Sequence, residues 1–315
     1  MKVLVVGCGA SGRRHINNLS AIDRIKSISV FTGNKDCLNE VNRKDKVTIT
    51  DSLTNTDADF AVIANDTYKH IDTAIPLAER GLHLFIEKPL SHNLNKTNEL
   101  RDIARNKKIK IFIGYNLRFL GAIKYIREKL SERALGRLYF AKIEVGQYLP
   151  EWRPARDYRD SYSARKNKGG GVALDLSHEI DYMRYLFGDP VSWKTVKSKA
   201  SSLEIDSDDI FEGIYKYQNG FMCNVHMDYL QKEKKREIRI VGSYGEINCD
   251  FVKQKMTTSQ EQVDTVEGQD GLFDVAQTYK DELEHFIEAI QKDATPAITM
   301  DDGIRALELL EDDKR

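Results

Sequence analysis

The feature that most constrains the fold is a glycine run placed directly between a strand-like and a helix-like segment near the start of the chain. The segment VLVVGCGASGRRH, residues 3–15, has Gly7, Gly9 and Gly12 in the spacing Gly-x-Gly-x-x-Gly. Glycine at these positions permits a tight turn, close approach of a pyrophosphate to the backbone, and packing of the next helix on the strand. The helix N-terminus then presents N–H groups to phosphates. This context predicts a dinucleotide-binding fold.

Residues 1–116 alternate short β-branched runs with helical patterns, which predicts parallel strands joined by right-handed crossovers. The strand-like runs span 2–7, 27–32, 58–65, 83–89 and 109–116, and the helical patterns span 12–22, 70–81 and 93–108. The sequence therefore predicts an α/β protein whose first domain, residues 1–116, is a Rossmann domain with a doubly wound parallel sheet.

From residue 117 onward the pattern changes to longer alternating segments interrupted by a few helices. The strand-like segments span 136–149, 191–200, 208–218, 220–230, 237–242 and 246–255, and the helical ones span 119–132, 169–188, 278–291 and 300–311. Asn219-Gly220 predicts a type I′ turn between two antiparallel strands. We therefore expect a second α/β domain, residues 117–315, with a largely antiparallel open sheet.

The charge balance excludes some classes of partner. The chain has 315 residues, with 48 Lys and Arg against 49 Asp and Glu. It therefore gives no support for a nucleic acid or an anionic membrane as partner. No apolar run approaches the ~20 residues of a membrane span. The chain opens directly into a strand-like run, where a signal peptide would need a longer apolar segment. We expect a cytoplasmic protein.

The four cysteines, Cys8, Cys37, Cys223 and Cys249, are widely scattered. None forms a Cys-x-x-Cys pair or stands near a histidine at a spacing typical of metal ligands. We therefore expect free thiols in a reducing compartment and no metal site.

The end of the second predicted strand bears on the choice of cofactor. Thr32 stands where an acidic residue would bind the ribose 2′-hydroxyl of NAD and repel a 2′-phosphate. Neither Thr32 nor Asn34 carries a negative charge that would repel a 2′-phosphate, and Lys35 or Arg14 could bind this phosphate. A threonine can also bond a ribose hydroxyl, so NAD and NADP both remain open, with a slight preference for NADP.

Two further groups are candidates for the reacting end. Glu87 and Lys88, in EKPLSH, lie between a strand-like run and a proline, where the carboxyl end of a parallel strand commonly binds ligands. Asp175 and His178 lie three residues apart at the opening of a predicted helix, on one face, and can act together in proton transfer. The alternatives are a surface turn for the first pair and helix capping for the second.

Together the motifs GCGASGRRH, EKPLS, GYNLRF, GGGVALDLSHEIDYMRYLFG and YKDELEHFIEAI resemble one family over essentially the whole chain. This is the glucose–fructose oxidoreductase, inositol dehydrogenase and rhizopine-catabolism (Gfo/Idh/MocA) family of NAD(P)-dependent oxidoreductases. The resemblance implies hydride transfer between nicotinamide and a secondary alcohol or ketone of a sugar, cyclitol or sugar derivative. It also implies a homo-oligomer formed through the open sheet of the second domain.

The resemblance also implies roles for individual residues. Lys88 matches a lysine that contacts both substrate and cofactor, and Asp175 and His178 match a catalytic Asp and His, with the His as proton carrier. The family usually places the His four residues after the Asp, whereas here it stands three residues after it, so the helix starts later or one role is altered. Asn65 to Thr67 match residues beside the cofactor, and His70 matches a histidine that is more structural than catalytic.

The candidate site residues form two sets. Those expected to bind the cofactor are Gly7, Gly9, Ala10, Ser11, Gly12, Thr32, Asn65, Asp66, Thr67, His70, Glu87, Lys88 and Asn116. Those expected to bind the substrate are Lys88, Asn116, Arg118, Tyr148, Trp152, Arg153, Asp175 and His178.

The segment 148–171 is unusually rich in Tyr, Trp and Arg, side chains that suit stacking on a sugar and recognition of carboxylate or phosphate. A solvated loop with an aromatic anchor is the alternative. The segment also resembles members of the family in bacterial surface-sugar biosynthesis, which implies a nucleotide-linked or acidic sugar. A non-catalytic NAD(P)-binding sensor on the same fold is the competing function.

Overall fold

The computed structural model describes residues 1–42, 44–154, 157–260, 262–267 and 271–313. The chain forms two compact units, Met1–Asn116 with Ala276–Leu307, and Leu117–Val275 with Glu308–Arg315. The predicted division into 1–116 and 117–315 differs from these units in the segment 276–307, because the helices of this segment pack with the first unit.

The strands and helices follow in chain order. The strands are β1 (Lys2–Val6), β2 (Ser27–Phe31), β3 (Val47–Thr50), β4 (Phe60–Ile63), β5 (His83–Glu87), β6 (Ile111–Gly114), β7 (Leu138–Gly146), β8 (Ser192–Ser198), β9 (Ile210–Lys216), β10 (Met222–Asp228), β11 (Lys235–Gly242), β12 (Gly245–Asp250), β13 (Lys255–Gln260) and β14 (Gln262–Glu267). The helices are α1 (Ala10–Ala21), α2 (His70–Glu79), α3 (Thr97–Lys107), α4 (Gly121–Ser131), α5 (Val172–Asp175), α6 (His178–Phe187), α7 (Val275–Gln291) and α8 (Met300–Leu309).

The first unit contains a six-stranded sheet in the order β3-β2-β1-β4-β5-β6, with every pair parallel. The predicted doubly wound parallel sheet is therefore confirmed. The strand order reverses between β1 and β4, and open α/β sheets bind ligands outside the carboxyl ends of the strands at such a switch point. The sequence pattern did not indicate β3, a four-residue edge strand that lacks a buried apolar run.

Helix α7 contributes to the core of the first unit through aromatic packing. The Phe286 ring lies 5.6 Å from that of Phe60 on β4, 6.0 Å from Phe85 on β5 and 5.8 Å from Phe112 on β6. All four side chains are completely buried. Burial of an aromatic side chain of this size contributes on the order of 2–3 kcal/mol, so α7 is an integral part of the first unit.

The second unit contains an eight-stranded sheet in the order β14-β13-β12-β11-β7-β10-β9-β8. Among the strand pairs in the described part of this sheet, only β7 and β10 are parallel, so the predicted largely antiparallel open sheet is confirmed. The predicted type I′ turn between β9 and β10 is wrong. A type I′ turn needs positive φ at two residues, but only Gly220 has it, at 83°, and its N–H bonds the carbonyl of Tyr217 at 3.0 Å.

The two faces of this second sheet differ in burial. Ile143, Val225 and Ile238 point to a buried face. On the opposite face Val196, Ile214 and Met222 are 65%, 53% and 49% exposed, which is unusual for three apolar side chains on adjacent strands.

The segment 169–188 forms two helices where the sequence predicted one. Helix α5 ends at Asp175, and α6 begins at His178 after a break at Leu176, whose φ and ψ of −102° and 24° are not helical. The prediction that Asp175 and His178 share a face of one helix is therefore wrong, although the predicted end of the helix at Gly188, with φ of 79°, agrees with the structure.

The prediction of four free thiols is wrong for one pair. Cys8, in the glycine loop, forms a disulfide with Cys37, in a 3₁₀ segment that follows β2, and their Cα atoms are 6.1 Å apart. The parallel sheet brings the ends of β1 and β2 together, which a separation of 29 residues along the chain does not reveal. Cys223 and Cys249 are free and buried. Within the described part of the chain, no helix is long and apolar enough to span a membrane.

Candidate cofactor and catalytic site

The glycine loop between β1 and α1 has the geometry of a phosphate cradle. Gly7 has φ of 95°, and a Cβ there would lie 2.6 Å from the carbonyl oxygen of Ala64. A Cβ on Gly12 would lie 2.2 Å from the carbonyl oxygen of Gly7, so both glycines are required by the packing of the protein itself. A Cβ on Gly9, by contrast, would meet nothing within 4 Å among the described atoms.

The open space at Gly9 lies at the N-terminus of α1. Gly9 is the N-cap residue, and no described side chain caps the helix. Ala10 and Ser11 form the first turn, whose N–H groups have no partner within the helix. An uncapped helix N-terminus beside a glycine without steric neighbours fits the pyrophosphate of a dinucleotide.

The loop after β2 carries the residues expected at the adenosine ribose. Thr32 follows the strand, and its Oγ1 accepts the N–H of Asn34 at 3.2 Å. The Asn34 side chain in turn accepts the N–H of Asp36 at 3.1 Å, which caps the 3₁₀ segment Lys35–Glu40. Arg14 lies with its guanidinium 4.0 Å from the Tyr279 ring centre and is exposed. A 2′-phosphate would therefore meet hydroxyl and amide groups at the end of β2.

The loop after β4 is tied to the loop after β5 by a histidine. The two ring nitrogens of His70 lie 3.0 Å from the carbonyl oxygen of Pro89 and 3.1 Å from that of Asn65. Burial lowers the pKa of His70, with its backbone partners opposing this effect. The Asn65 amide donates to Thr73 at 2.8 Å. His70 therefore links the loop after β4 to the loop after β5.

Two other predicted residues of this loop, Asp66 and Thr67, open the turn that leads into α2. Asp66 pairs with Lys69 at 3.3 Å on the surface, and Thr67 is buried in the 3₁₀ turn Thr67–Lys69. Both lie at the carboxyl end of β4, next to the strand that carries the glycine loop.

Lys88 follows β5 directly, and its neighbour Glu87 is held by a buried histidine. Nε2 of His15 lies 2.5 Å from Oε1 of Glu87, and the backbone N–H of Lys88 donates to Oε2 at 3.1 Å. Burial alone would raise the pKa of Glu87, but the hydrogen bond and charge of His15, with smaller contributions from Lys88 and His70, outweigh burial and lower it. Lys88 itself is half-buried, and its peptide bond to Pro89 is cis.

Asn116, which follows β6, is the last of the residues predicted to bind the cofactor. Its amide donates a 2.6 Å hydrogen bond to Oγ1 of Thr278 on α7, and both side chains are buried. The carboxyl end of β6 is thereby linked to α7 of the same unit.

In the second unit Asp175 is held by phenol groups. The Tyr229 hydroxyl donates to Oδ2 of Asp175 at 2.6 Å, and the Tyr162 hydroxyl also hydrogen-bonds this carboxylate. Burial, then the charge of Asp175, raises the pKa of both tyrosines, so both remain donors. His178 opens α6 one turn later and is only 9% exposed.

Arg118, which was expected to bind substrate, forms a buried ion pair within the second unit. Its guanidinium donates to the two carboxylate oxygens of Asp181 at 2.8 Å and 2.6 Å, and both side chains are buried. A bidentate buried pair of this kind is costly to break, which favours a structural role for Arg118.

The aromatic segment after β7 surrounds a cavity of about 290 Å³. Trp152 lies in its wall, with Nε1 donating to the carbonyl of Gln147 at 3.0 Å and its ring edge-on to Tyr229 at 5.2 Å. Arg153 lines the same cavity, whereas the Tyr148 ring is covered by the Lys232 ammonium at 3.0 Å. The complete lining consists of Leu149, Trp152, Arg153, Asp157, Tyr158, Asp160, Ser161 and Ser163.

Comparison with known proteins identifies the family. The model of the Gfo/Idh/MocA oxidoreductase family's NAD-binding Rossmann fold matches residues 1–115, and that of its C-terminal α/β domain matches residues 127–312. The chain belongs to this family. As a member of the Gfo/Idh/MocA family it is an NAD(P)-dependent oxidoreductase, which decides the choice that the sequence left open between an enzyme and a non-catalytic sensor.

Individual relatives are distant but match over nearly the full length. Myo-inositol 2-dehydrogenase of Thermotoga maritima is 25% identical, over 98% of this chain and 93% of its own. Among solved structures, a levoglucosan dehydrogenase in complex with NADH and levoglucosan has a TM-score of 0.85 at 20% identity, covering 98% of this chain and 95% of that one. The WlbA dehydrogenase of Bordetella pertussis, in complex with NADH and UDP-GlcNAcA, has a TM-score of 0.83 at 18% identity, covering 98% and 93%.

Several residues around the site gave no signal in the sequence analysis. His15 ends the glycine-rich segment VLVVGCGASGRRH, but its partner Glu87 is 72 residues away along the chain. Thr278 and Tyr229 lie 162 and 54 residues from the side chains that they hold. Only the fold brings these partners together, and no local spacing rule indicates them.

Proposed function

We propose that this oxidoreductase transfers hydride between the nicotinamide of NAD(P) and a secondary alcohol or ketone of a sugar, cyclitol or sugar derivative. One observation supports the proposal most directly. The glycine loop, with open space at Gly9, and Lys88, at the end of β5, lie at the same edge of the first sheet. Such an edge is the usual ligand site of a doubly wound sheet.

The cofactor would be held by the backbone of Gly9, Ala10 and Ser11 at its pyrophosphate and by Thr32 at its adenosine ribose. The end of β4, at Asn65, would line its other side. When bound, the nicotinamide supplies the carbon that accepts or donates hydride. The protein supplies orientation and charge.

Charge and proton transfer are assigned to three side chains. The ammonium of Lys88 stabilises the negative charge that develops on the substrate oxygen during hydride transfer. His178 carries the proton to or from that oxygen, since an imidazole titrates near neutral pH. Asp175 accepts hydrogen bonds from two phenols, which hold its carboxylate in place, and it acts as the partner of His178.

NADP is the preferred form of the cofactor in this proposal. The support is the end of β2, where Thr32 and Asn34 carry no negative charge, together with the exposed Arg14 on α1. A carboxylate at this point would repel the 2′-phosphate. Titration of the protein with NADPH and NADH, followed by nicotinamide fluorescence, gives the two dissociation constants; a tenfold preference for NADH, about 1.4 kcal/mol, would contradict the NADP preference.

The substrate is proposed to be a sugar that extends into the cavity beside Trp152 and Arg153. Trp152 suits stacking on a sugar face, and Arg153 suits a carboxylate or phosphate, which supports an acidic or nucleotide-linked sugar. The complex of the Bordetella pertussis relative with UDP-GlcNAcA is an example of such a ligand on this fold.

A homo-oligomer formed through the open face of the second sheet is also proposed. Val196, Ile214 and Met222 are exposed on one face of the neighbouring strands β8, β9 and β10, and exposed apolar side chains on one face suit a self-complementary interface. Light scattering of the wild type and of Ile214→Asp tests this; an oligomer in the wild type that dissociates in the variant is expected, and a wild-type monomer contradicts the proposal.

A panel of sugars, cyclitols, uronic acids and nucleotide sugars tests the main proposal. Each is mixed with the protein and NAD or NADP, and the appearance or loss of reduced nicotinamide is followed by absorbance. In parallel, mass spectrometry of the denatured protein identifies any ligand that co-purifies. We expect turnover with at least one hydroxyl compound of these classes; cofactor binding without turnover on any member, or on a co-purified ligand, would count against the proposal.

A further inference from the structure

The glycine run that precedes α5 is packed against other segments of the second unit. A Cβ on Gly170 would lie 2.1 Å from the carbonyl oxygen of Tyr162, and a Cβ on Gly171 would lie 2.4 Å from Oδ1 of Asp208. Gly171 also has φ of 121°, in the region that favours glycine. The run therefore allows two segments, one around Tyr162 and one around Asp208, to approach the start of α5.

Helix α5 is a single turn, and one residue from outside the helix binds its first two N–H groups. The N–H of Val172 donates to the backbone carbonyl of Asp208 at 3.0 Å, and the N–H of Ala173 donates to Oδ2 of Asp208 at 3.1 Å. A helix commonly obtains such a cap from the side chain of its own N-cap residue. The N-cap residue of α5 is Gly171, which has no side chain. Asp208, 35 residues beyond Ala173, therefore supplies the cap.

Asp175 is the last residue of the same turn. Its N–H donates to the carbonyl of Gly171 at 3.0 Å, which closes the turn. A helix this short is unstable alone, because forming the first turn fixes several residues for one hydrogen bond. The position of Asp175 therefore depends on the contacts that hold α5, and Asp208 provides two of these contacts at the opposite end of the turn.

The residue after Asp208 holds the backbone of a partner of Asp175. The carbonyl of Asp209 accepts the N–H of Tyr229 at 3.0 Å, and the hydroxyl of Tyr229 donates to the carboxylate of Asp175 at 2.6 Å. Two consecutive residues, Asp208 and Asp209, thus hold the backbones on both sides of the Asp175–Tyr229 hydrogen bond.

The other phenol that bonds Asp175 is supported by the same segment. The hydroxyl of Ser207 donates to the carbonyl of Ser163 at 2.7 Å, and both side chains are buried. Tyr162, which precedes Ser163, hydrogen-bonds the carboxylate of Asp175. Residues 207–209 therefore contact all three stretches of backbone that carry Asp175 and its two phenol partners.

We propose that Asp208 is a positioning residue for Asp175: by capping α5 from outside the helix, it fixes the carboxylate at the end of the turn against the hydroxyl of Tyr229. This rests on the role of Asp175 as the partner of His178 in the proposed function. Only Leu176 and Ser177 separate α5 from α6, so a displacement of α5 also displaces the start of α6, where His178 lies.

The effect of Asp208 is measured on the phenol of Tyr229, without cofactor or substrate. Protein labelled with ¹³C at the ζ carbon of tyrosine gives one NMR signal for each tyrosine, and Tyr229→Phe identifies the signal of Tyr229. The position of this signal in Asp175→Ala, which lacks the acceptor, is the reference for a broken hydrogen bond. In Asp208→Ala the signal should move at least halfway from its wild-type position to this reference.

Two matched variants separate positioning from general stability. Asp208→Asn keeps an oxygen acceptor for the N–H of Ala173 and should leave the Tyr229 signal near its wild-type position, since Asn and Asp cap helices about equally well. Asp206→Ala removes a carboxylate of the same segment that accepts the N–H of Lys166, outside α5, at 2.6 Å. It should leave the signal in place even where it lowers the melting temperature. A wild-type signal in Asp208→Ala, or an equal shift in either control, overturns the proposal.

A second variant and a second measurement complete the test. Where Asp208→Ala does not fold, Asp208→Ser, whose hydroxyl ends one bond short of the Ala173 amide, should move the signal in the same direction, and an unmoved signal overturns the proposal. On an identified substrate, Asp208→Ala should lower kcat by about tenfold to a hundredfold, the size of effect expected when a catalytic group is misplaced by about 1 Å. Asp208→Asn should stay within about threefold of wild type. A wild-type kcat in Asp208→Ala overturns the link to the reaction. Because the NMR measurement needs no turnover, its failure is distinct from failure of the proposed function.

Discussion

The hydroxyl of Tyr229 donates a 2.6 Å hydrogen bond to the carboxylate of Asp175, and both side chains are buried in the second unit. A donor lost from a buried carboxylate leaves an unsatisfied charge, at a cost of about 1–3 kcal/mol. Tyr229→Phe should therefore lower the free energy of unfolding by this amount in urea denaturation at pH 7. Tyr217→Phe, whose hydroxyl makes only a 3.4 Å bond to the carbonyl of Gly188, is the matched control and should stay within about 0.5 kcal/mol. Equal stability of the two variants would show that the bond to Asp175 contributes nothing.

Gly9→Val should abolish most dinucleotide binding while leaving the fold intact. A Cβ on Gly9 meets no described protein atom within 4 Å, so valine fills the space in which the pyrophosphate would lie without a clash inside the protein. Calorimetric titration with NADH and NADPH measures the loss, and the melting temperature checks the fold. Unchanged affinity for both dinucleotides would show that the glycine loop does not bind the cofactor.

Lys88→Met should lower turnover at least about a hundredfold, because a charge beside the reacting oxygen in a closed site contributes roughly 3–4 kcal/mol to the barrier. The melting temperature should be nearly unchanged. Lys96→Met removes an exposed lysine paired with Asp72 and is the control for general charge effects. If Lys88→Met stays within about threefold of wild type on the identified substrate, Lys88 is a loop residue only.

His178→Asn should lower turnover by about 10²–10⁴-fold, the usual range for loss of a general acid–base group, with little change in cofactor affinity. Steady-state kinetics on the identified substrate and a dinucleotide titration separate the two effects. Near-normal turnover would mean that the break between α5 and α6 has moved proton transfer to another group, and Tyr148 or Lys88 would be examined next.

The contribution of His226 to stability should depend on pH. Hydrogen bonds to Asp228, at 3.0 Å, and Glu212, at 2.6 Å, raise the pKa of His226 to about 9, against the partial burial of the ring. Since the folded pKa exceeds the unfolded one, the stabilisation is complete below about pH 6.5 and is lost as the pH rises through about 9. The melting temperature of His226→Gln should lie below that of the wild type at pH 6 and approach it near pH 10. A difference that does not change with pH would mean that His226 does not bind its proton as described.

The sequence indicated most of the first sheet because strand and helix signals there are local. Buried β-branched runs identified five of its six strands, and Gly7, Gly9 and Gly12 marked the turn into α1. The edge strand β3 was missed because half-exposed threonines give no apolar run. The type I′ turn was wrong because Asn-Gly also fits a turn in which only Gly220 has positive φ.

The supporting contacts of the candidate site were beyond sequence reasoning for a different reason. Glu87 and Asp175 were named as site residues, but the side chains that hold them, His15 and Tyr229, are distant in the chain. Similarly, the Cys8–Cys37 disulfide depends on two parallel strands ending side by side. Contacts of this kind follow from tertiary structure, which no local pattern encodes.

The packing of α7 in the first unit has a consequence for the order in which the protein is made. When the ribosome has released residue 116, all six parallel strands exist, but Phe60, Phe85 and Phe112 still lack Phe286. An incomplete core of this kind exposes apolar surface and is prone to aggregate. The nascent Rossmann sheet must therefore wait, incompletely covered on this side, while the whole intervening unit is translated.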